Sequence, residues 1–195
     1  MTHAGRLKGL PDDFYERIKP RLMSRIGMAV RMARRVLDLG CGRCELADYL
    51  ALAYEQEVTG VDISDEKFPK RRTKPRGAGK RKCVKTDAKR LGFLENSSID
   101  AAVSLWALHE MAHPEAVLRE AFRVLRPGGQ ILIVDFPRNS LAAKLWDEDY
   151  FAPGQIKRML DDAGFAGVKC RLIERSQIAW CSGQKKANAP QKYDV

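Results

Sequence analysis

The run Val36-Leu37-Asp38-Leu39-Gly40-Cys41-Gly42 constrains this chain more than any other stretch. An apolar segment that ends in Gly-x-Gly and passes into Cys44-Glu45-Leu46-Ala47-Asp48-Tyr49-Leu50 reads as a buried strand, a tight turn and the start of a helix. Glycine reaches positive φ without steric cost and lets a ligand approach the main chain, so this unit builds a nucleotide-type site. A second run, Val58-Thr59-Gly60-Val61-Asp62, ends in an acid about 20 residues downstream, the offset of a ribose-binding carboxylate. The two together point to an adenosine-containing ligand.

The rest of the chain fits the same plan. Residues 1–35 read as one or two amphipathic helices, with Pro20 breaking them, and form an N-terminal cap. Strands are expected at 36–39, 58–61, 83–85, 100–104 and 130–136, with helices at 44–54, 114–125 and 153–163 between them. Two closing strands, 168–174 and 177–182, can pair as a hairpin, and 184–195 reads as a frayed tail. Alternating strands and helices predict an α/β fold: a Rossmann-like three-layer sandwich with a mostly parallel seven-stranded sheet and an antiparallel C-terminal hairpin. At 195 residues, one domain over 1–195 is expected.

The net charge of +10 is concentrated in one place. Residues 67–82 hold nine basic and no acidic side chains, with two prolines and two glycines, and read as a mobile basic loop. No run approaches the roughly 18 apolar residues of a membrane span, and Met1 to Leu10 lacks the apolar core of a signal peptide. A cytoplasmic protein without membrane partners is expected. Five cysteines, an odd number, do not read as a secreted disulfide framework. Cys41 and Cys44 form a Cys-x-x-Cys, but zinc needs two further ligands and no second such pair exists, so no metal is expected and the two read as small loop-lining residues.

These motifs closely resemble the class I S-adenosylmethionine-dependent methyltransferases, in the branch of small enzymes related to the ubiquinone/menaquinone C-methyltransferases. The resemblance rests on Val36 to Gly42, Gly60-Val61-Asp62, Thr86-Asp87-Ala88, Asp100 to Ser104 and Arg123-Val124-Leu125-Arg126-Pro127-Gly128-Gly129, in that order. It implies S-adenosylmethionine as cofactor. Asp38, Gly40, Cys41 and Gly42 would face its methionine end, Asp62 would accept from both ribose hydroxyls, and Ile63 would pack on adenine. Asp87 would accept from the adenine amino group beside Ala88, the alternative being a helix cap. Ser104 and Leu105 would border the reacting methyl. One departure is Cys44, where many relatives carry a third glycine.

The implied reaction is an in-line displacement at a sulfonium methyl, in which the enzyme aligns donor and acceptor and a general base is optional. His109, just after the fourth strand, is the candidate base; packing under the next helix is its plain alternative, and a solvated acid is the plain reading of Glu110. The fourth strand ends in Ser104-Leu105-Trp106-Ala107, not the Asn/Asp-Pro-Pro turn of enzymes that methylate exocyclic amino groups. A small-molecule acceptor is therefore expected, an acidic one on one reading. The alternatives are an RNA methyltransferase that grips phosphates with loop 67–82, the less favoured partner being nucleic acid, and a binding module that senses the cofactor without turnover. Residues 1–35 and 136–153 are expected to roof the acceptor site as a modest lid over an open pocket. The sequence does not define the oligomeric state.

Overall fold

The computed structural model describes residues 10–70 and 79–187. Strands β1 (Arg35–Leu39), β2 (Glu57–Asp62), β3 (Lys80–Lys85), β4 (Ile99–Leu105), β5 (Leu125–Asp135), β6 (Ala166–Ile173) and β7 (Ile178–Gln184) form one sheet in the order β3-β2-β1-β4-β5-β7-β6. Neighbours from β3 across to β5 are all parallel. Only β7 is reversed, running antiparallel to β5 and β6. Helices α1 (Phe14–Ala29), α2 (Glu45–Ala53), α3 (Pro114–Val124), α4 (Ala142–Leu145) and α5 (Pro153–Asp162), with a 3-10 turn at Leu108–Glu110, complete the described elements.

Strand side chains alternate between two apolar layers. Val36, Ala101, Val103, Leu132 and Val134 face α1 and α2, whereas Leu37, Leu39, Ala102, Ile131 and Ile133 face α3 and α5. A parallel sheet covered on both faces must be apolar on both, so its strands read as continuous hydrophobic runs. Asp38 interrupts that pattern. It lies on the α1/α2 side of β1, at the carboxyl end of the sheet where ligands bind in this fold class.

Pro20 does not break α1, which runs unbroken from Phe14 to Ala29. Proline deprives Glu16 of its helical hydrogen bond, at roughly 3 kcal/mol. Tyr15, Ile18, Leu22 and Ile26 line the opposite face, all at most 4% exposed, and burying them contributes on the order of 1.5–3 kcal/mol each. The packed face outweighs the defect.

The basic run 67–82 is not a single loop. Residues 71–78 lie outside the described residues, but Lys80, Arg81 and Lys82 are the first half of β3. Lys80 and Lys82 point outward, while Arg81 turns inward to Asp48 of α2 at 2.6 Å. Gly79 sits so close to α2 that a Cβ there would lie 1.9 Å from the Ala51 carbonyl oxygen. The expected tail also begins too early. Gln184 is paired in β7, and Lys185 Nζ donates to the Phe122 and Leu125 carbonyls at 2.8 and 2.7 Å, closing the end of α3. Residues 1–9 and 188–195 lie outside the described residues.

The N-terminal helix is tied to the far end of the chain. Tyr15 Oη donates to Gln177 Oε1 at 3.3 Å and accepts from the Ala142 N–H at 2.9 Å. Gln177 Oε1 also accepts from the Leu141 N–H at 2.6 Å. Tyr15 packs edge-on to Trp106 and Phe136, and Trp146 and Tyr150 complete an aromatic cluster around Phe136. This cluster packs α1 against the segment that follows β5.

Candidate active site

The glycine turn is held by β2. The N–H groups of Gly40 and Cys41 both donate to the Val61 carbonyl, at 2.9 and 3.0 Å. Gly40 and Gly42 take φ of +71° and +48°, and a Cβ on Gly40 would lie 2.4 Å from that of Ala107. Cys44, at the position where relatives carry glycine, also adopts a left-handed backbone, φ +56°, and begins α2. The turn therefore forms without the third glycine. A Cβ on Gly42 would meet nothing within 4 Å, which leaves the main chain open to a ligand.

Asp62 closes the turn from the other side. Its Oδ2 accepts the Gly42 N–H at 2.8 Å and its Oδ1 accepts the Ser64 N–H at 3.1 Å. Each carboxylate oxygen retains acceptor capacity, so the two amides aim the group without exhausting it. Asp38 is 2% exposed and its Oδ2 has no hydrogen-bond partner. Burial, with the nearby Asp62 charge, pushes its pKa up to about 7, against a smaller opposing effect of the Ala47 amide. A buried carboxylate with one oxygen unpartnered is costly to ionise and calls for a cation.

Both acids line one cavity of about 680 Å³ with Gly40, Cys41, Gly42, Ile63, Asp87, Ala88 and Leu105. Ile63 is 73% exposed, an apolar side chain held out at the wall. Asp87 caps no helix: it begins a turn in which Oδ1 accepts the Lys89 N–H at 3.1 Å, and Oδ2 meets Lys89 Nζ at 3.0 Å. It lines the cavity as well. Ser104 does not: it is 1% exposed and its Oγ has no hydrogen-bond partner.

His109 also stands off the cavity wall, its side chain only 4% exposed. Nδ1 bonds to Asp135 Oδ1 at 2.7 Å, and Nε2 lies 3.4 Å from Glu148 and 3.9 Å from Glu110. Burial lowers the imidazole pKa, but the Asp135 hydrogen bond and charge, with Glu110 and Glu148, outweigh it and the net shift is upward. Asp135 is 1% exposed and also accepts the His109 and Phe136 amides, at 3.1 and 2.8 Å. With Nδ1–H given to Asp135, Nε2 faces Glu148, whose charge favours a proton there. Glu110, rather than His109, reaches the cavity.

Sequence reasoning missed Asp135, although an acid ending a buried strand is the same signal that marked Asp62. It also missed Lys19 of α1, which lines the cavity and pairs with Glu45, because nothing local relates that helix to the site. The cysteines are paired more than their odd number implied. Disulfides join Cys44 to Cys83 and Cys170 to Cys181, leaving Cys41 free.

The sheet order, the glycine turn and the two strand-end acids agree with the fold expected of class I S-adenosylmethionine-dependent methyltransferases. Residues 37–133 match the family described as methyltransferase domain. Among curated proteins, the chain is 35% identical over 130 residues to the ubiquinone/menaquinone biosynthesis C-methyltransferase UbiE of Pseudomonas putida, covering 63% of this chain and 50% of that one. The chain thus spans about half the length of the curated relatives it matches. Among solved structures, it resembles a SAM-dependent methyltransferase from Archaeoglobus fulgidus, with TM-score 0.70, 20% identity and coverage of 88% and 98% of the two chains. It also resembles the 1,6-didemethyltoxoflavin-N1-methyltransferase of Burkholderia thailandensis, solved with 1,6-didemethyltoxoflavin and S-adenosylhomocysteine bound, with TM-score 0.66, 22% identity and coverage of 94% and 83%.

Proposed function

We propose that this chain transfers the methyl group of S-adenosylmethionine to a small-molecule acceptor. The observation that carries this reading is the buried Asp38 carboxylate, its Oδ2 without a partner, on the same cavity wall as the aimed Asp62. Asp38 suits the cofactor's ammonium, and Asp62 suits its ribose hydroxyls. Ile63 and Ala88 flank the adenine, with Asp87 at its amino group, and Leu105 borders the methyl. Ser104 acts only from behind Leu105, as packing. When bound, the cofactor supplies an activated sulfonium methyl with a neutral leaving group.

The chain's own contribution is alignment and exclusion of water. Trp106 and Glu110 line the cavity beside Leu105, and α1 with its aromatic cluster shields that side from solvent. Where the acceptor carries a proton, His109 is the group to receive it by way of Glu110, with Asp135 fixing the imidazole tautomer. Arg43 and Lys67 also line the cavity, and neither has an ion-pair partner among the described residues, so both are available to pair with an acidic acceptor. The named activities of the ubiquinone/menaquinone and toxoflavin relatives agree with a small molecule. Arg81 is committed to Asp48, which removes one cation from the run on which an RNA reading rests.

Calorimetry with S-adenosylhomocysteine tests the site. Asp62→Ala removes a charged acceptor, whose hydrogen bonds are worth about 1.5–3 kcal/mol each, so affinity falls on the order of 10- to 100-fold or more. His109→Ala leaves affinity intact and lowers turnover in a labelled-methyl screen against metabolite pools. Unchanged binding by the Asp62 variant removes the basis for the assignment.

A further inference from the structure

The Cys-x-x-Cys of the glycine turn is the one sequence motif that methyl transfer leaves unused. Three sulfurs meet there. Cys44 is disulfide-bonded to Cys83 of β3, and Cys41 Sγ lies 3.4 Å from Cys44 Sγ. They gather over Gly60, where a Cβ would come within 2.8 Å of Cys41 Sγ and 3.5 Å of Cys44 Sγ. Gly60 is in register with Cys83, so its missing side chain makes the room the sulfurs occupy. Arg81 Nη1 donates to Cys83 Sγ at 3.2 Å, while its Nε holds Asp48. Cys41 lines the cavity, which gives small reagents a route to the cluster. Among the described residues, no group of side chains is arranged to hold a metal ion.

We propose that Cys41, Cys44 and Cys83 form a thiol–disulfide exchange site in the cofactor turn, in which the Cys44–Cys83 bridge latches the turn to β3 and a small dithiol releases it. The functional part of this proposal rests on reading the cavity as the cofactor site. In the internal step, the Cys41 thiolate attacks Cys44 Sγ. The Cys41–Cys44 bond forms as the Cys44–Cys83 bond breaks, and the electron pair leaves on Cys83 beside the Arg81 guanidinium. The proton lost by Cys41 passes to solvent, and no net oxidation or reduction occurs. In the release step, a dithiol gives two electrons and two protons to Cys44 and Cys83 and becomes a cyclic disulfide. Burial and the Asp38 and Asp62 carboxylates push the Cys41 thiol up, so exchange quickens as pH rises.

The test uses the full chain isolated without reductant, denatured in N-ethylmaleimide, digested and mapped by mass spectrometry. The expected map shows Cys41 alkylated and Cys44 linked to Cys83. A Cys41–Cys44 linked peptide should grow with pH and be absent from Cys41→Ser. Dithiothreitol should free Cys44 and Cys83 and weaken S-adenosylhomocysteine binding on the order of tenfold, as the turn loses a preorganising anchor. Cys83→Ser should show that weaker binding without reductant, and a Cys170→Ser, Cys181→Ser double variant should keep the response to dithiol. Alkylation of all three cysteines in unreduced protein, a metal ion retained by them, or equal affinity of the bridged and reduced forms overturns the proposal. Linked peptides with no ligand binding in either form support the exchange site and count against the cofactor reading.

Discussion

Asp38→Asn separates what the ligand-free fold prefers from what the site requires. The Asp38 carboxyl moves from 3.8 to about 7 on folding, chiefly because it is buried and then because Asp62 is near. At 1.36 kcal/mol per unit, ionising it in the native state costs at most about 4 kcal/mol. The folded pKa lies above the unfolded one, so between pH 4 and 7 the native state keeps a proton that the unfolded state has lost. Stability from this group therefore falls as pH rises through that window, and the full cost is present above pH 7. A neutral amide of the same shape removes that dependence. Ligand-free Asp38→Asn is expected to melt higher than wild type at pH 8, by up to about 10 °C for a chain of this size, and to show no gain at pH 4. Binding should respond in the opposite sense, since the amide cannot neutralise the cofactor's ammonium, and S-adenosylhomocysteine affinity should fall on the order of tenfold or more. Melting curves at the two pH values with and without ligand, together with calorimetry, read both effects. An Asn variant that is destabilised at pH 8, or that binds as wild type does, refutes the argument.

Two further predictions follow from neighbouring groups. Asp135→Asn should lower the His109 pKa, read by NMR titration of the ring; because the wild-type folded pKa is raised, the stability it contributes is present below the unfolded value near 6.5 and lost above it, so the wild-type advantage over the variant should shrink as pH climbs past the folded pKa. Gly40→Ala combines a strained φ with a Cβ placed 2.4 Å from that of Ala107, and urea unfolding should report a loss of about 2–4 kcal/mol, partly restored by Ala107→Gly.

Most of the sheet is legible in the sequence because each central strand is buried on both faces. Val36–Leu39, Ala101–Val103 and Ile131–Val134 have few other uses for such apolar runs. β3 is different. It lies at the sheet edge, so Lys80 and Lys82 can point to water, and their charges disguise a strand as a loop. α1 misleads for a related reason, since Pro20 is visible locally and the packing that overrides it is not. Within the site, the wall formed by Asp38, the glycine turn and Asp62 follows from strand ends and spacing. Which way His109 faces does not, because its orientation depends on Asp135, 26 residues away. The same holds for Cys83, which joins Cys44 only because β3 lies beside β2 in register.

The bond from Tyr15 to Gln177 spans 162 positions and orders events during synthesis. Tyr15 leaves the ribosome 162 positions ahead of its partner. Until that partner emerges, the apolar face Phe14, Tyr15, Ile18 and Leu22 lacks its full set of contacts. The roof over the cavity is thus sealed only after the glycine turn and both acids have been made. A nascent chain that stops short of β7 carries the whole glycine turn and both acids, yet presents an unsealed hydrophobic helix instead of a finished pocket.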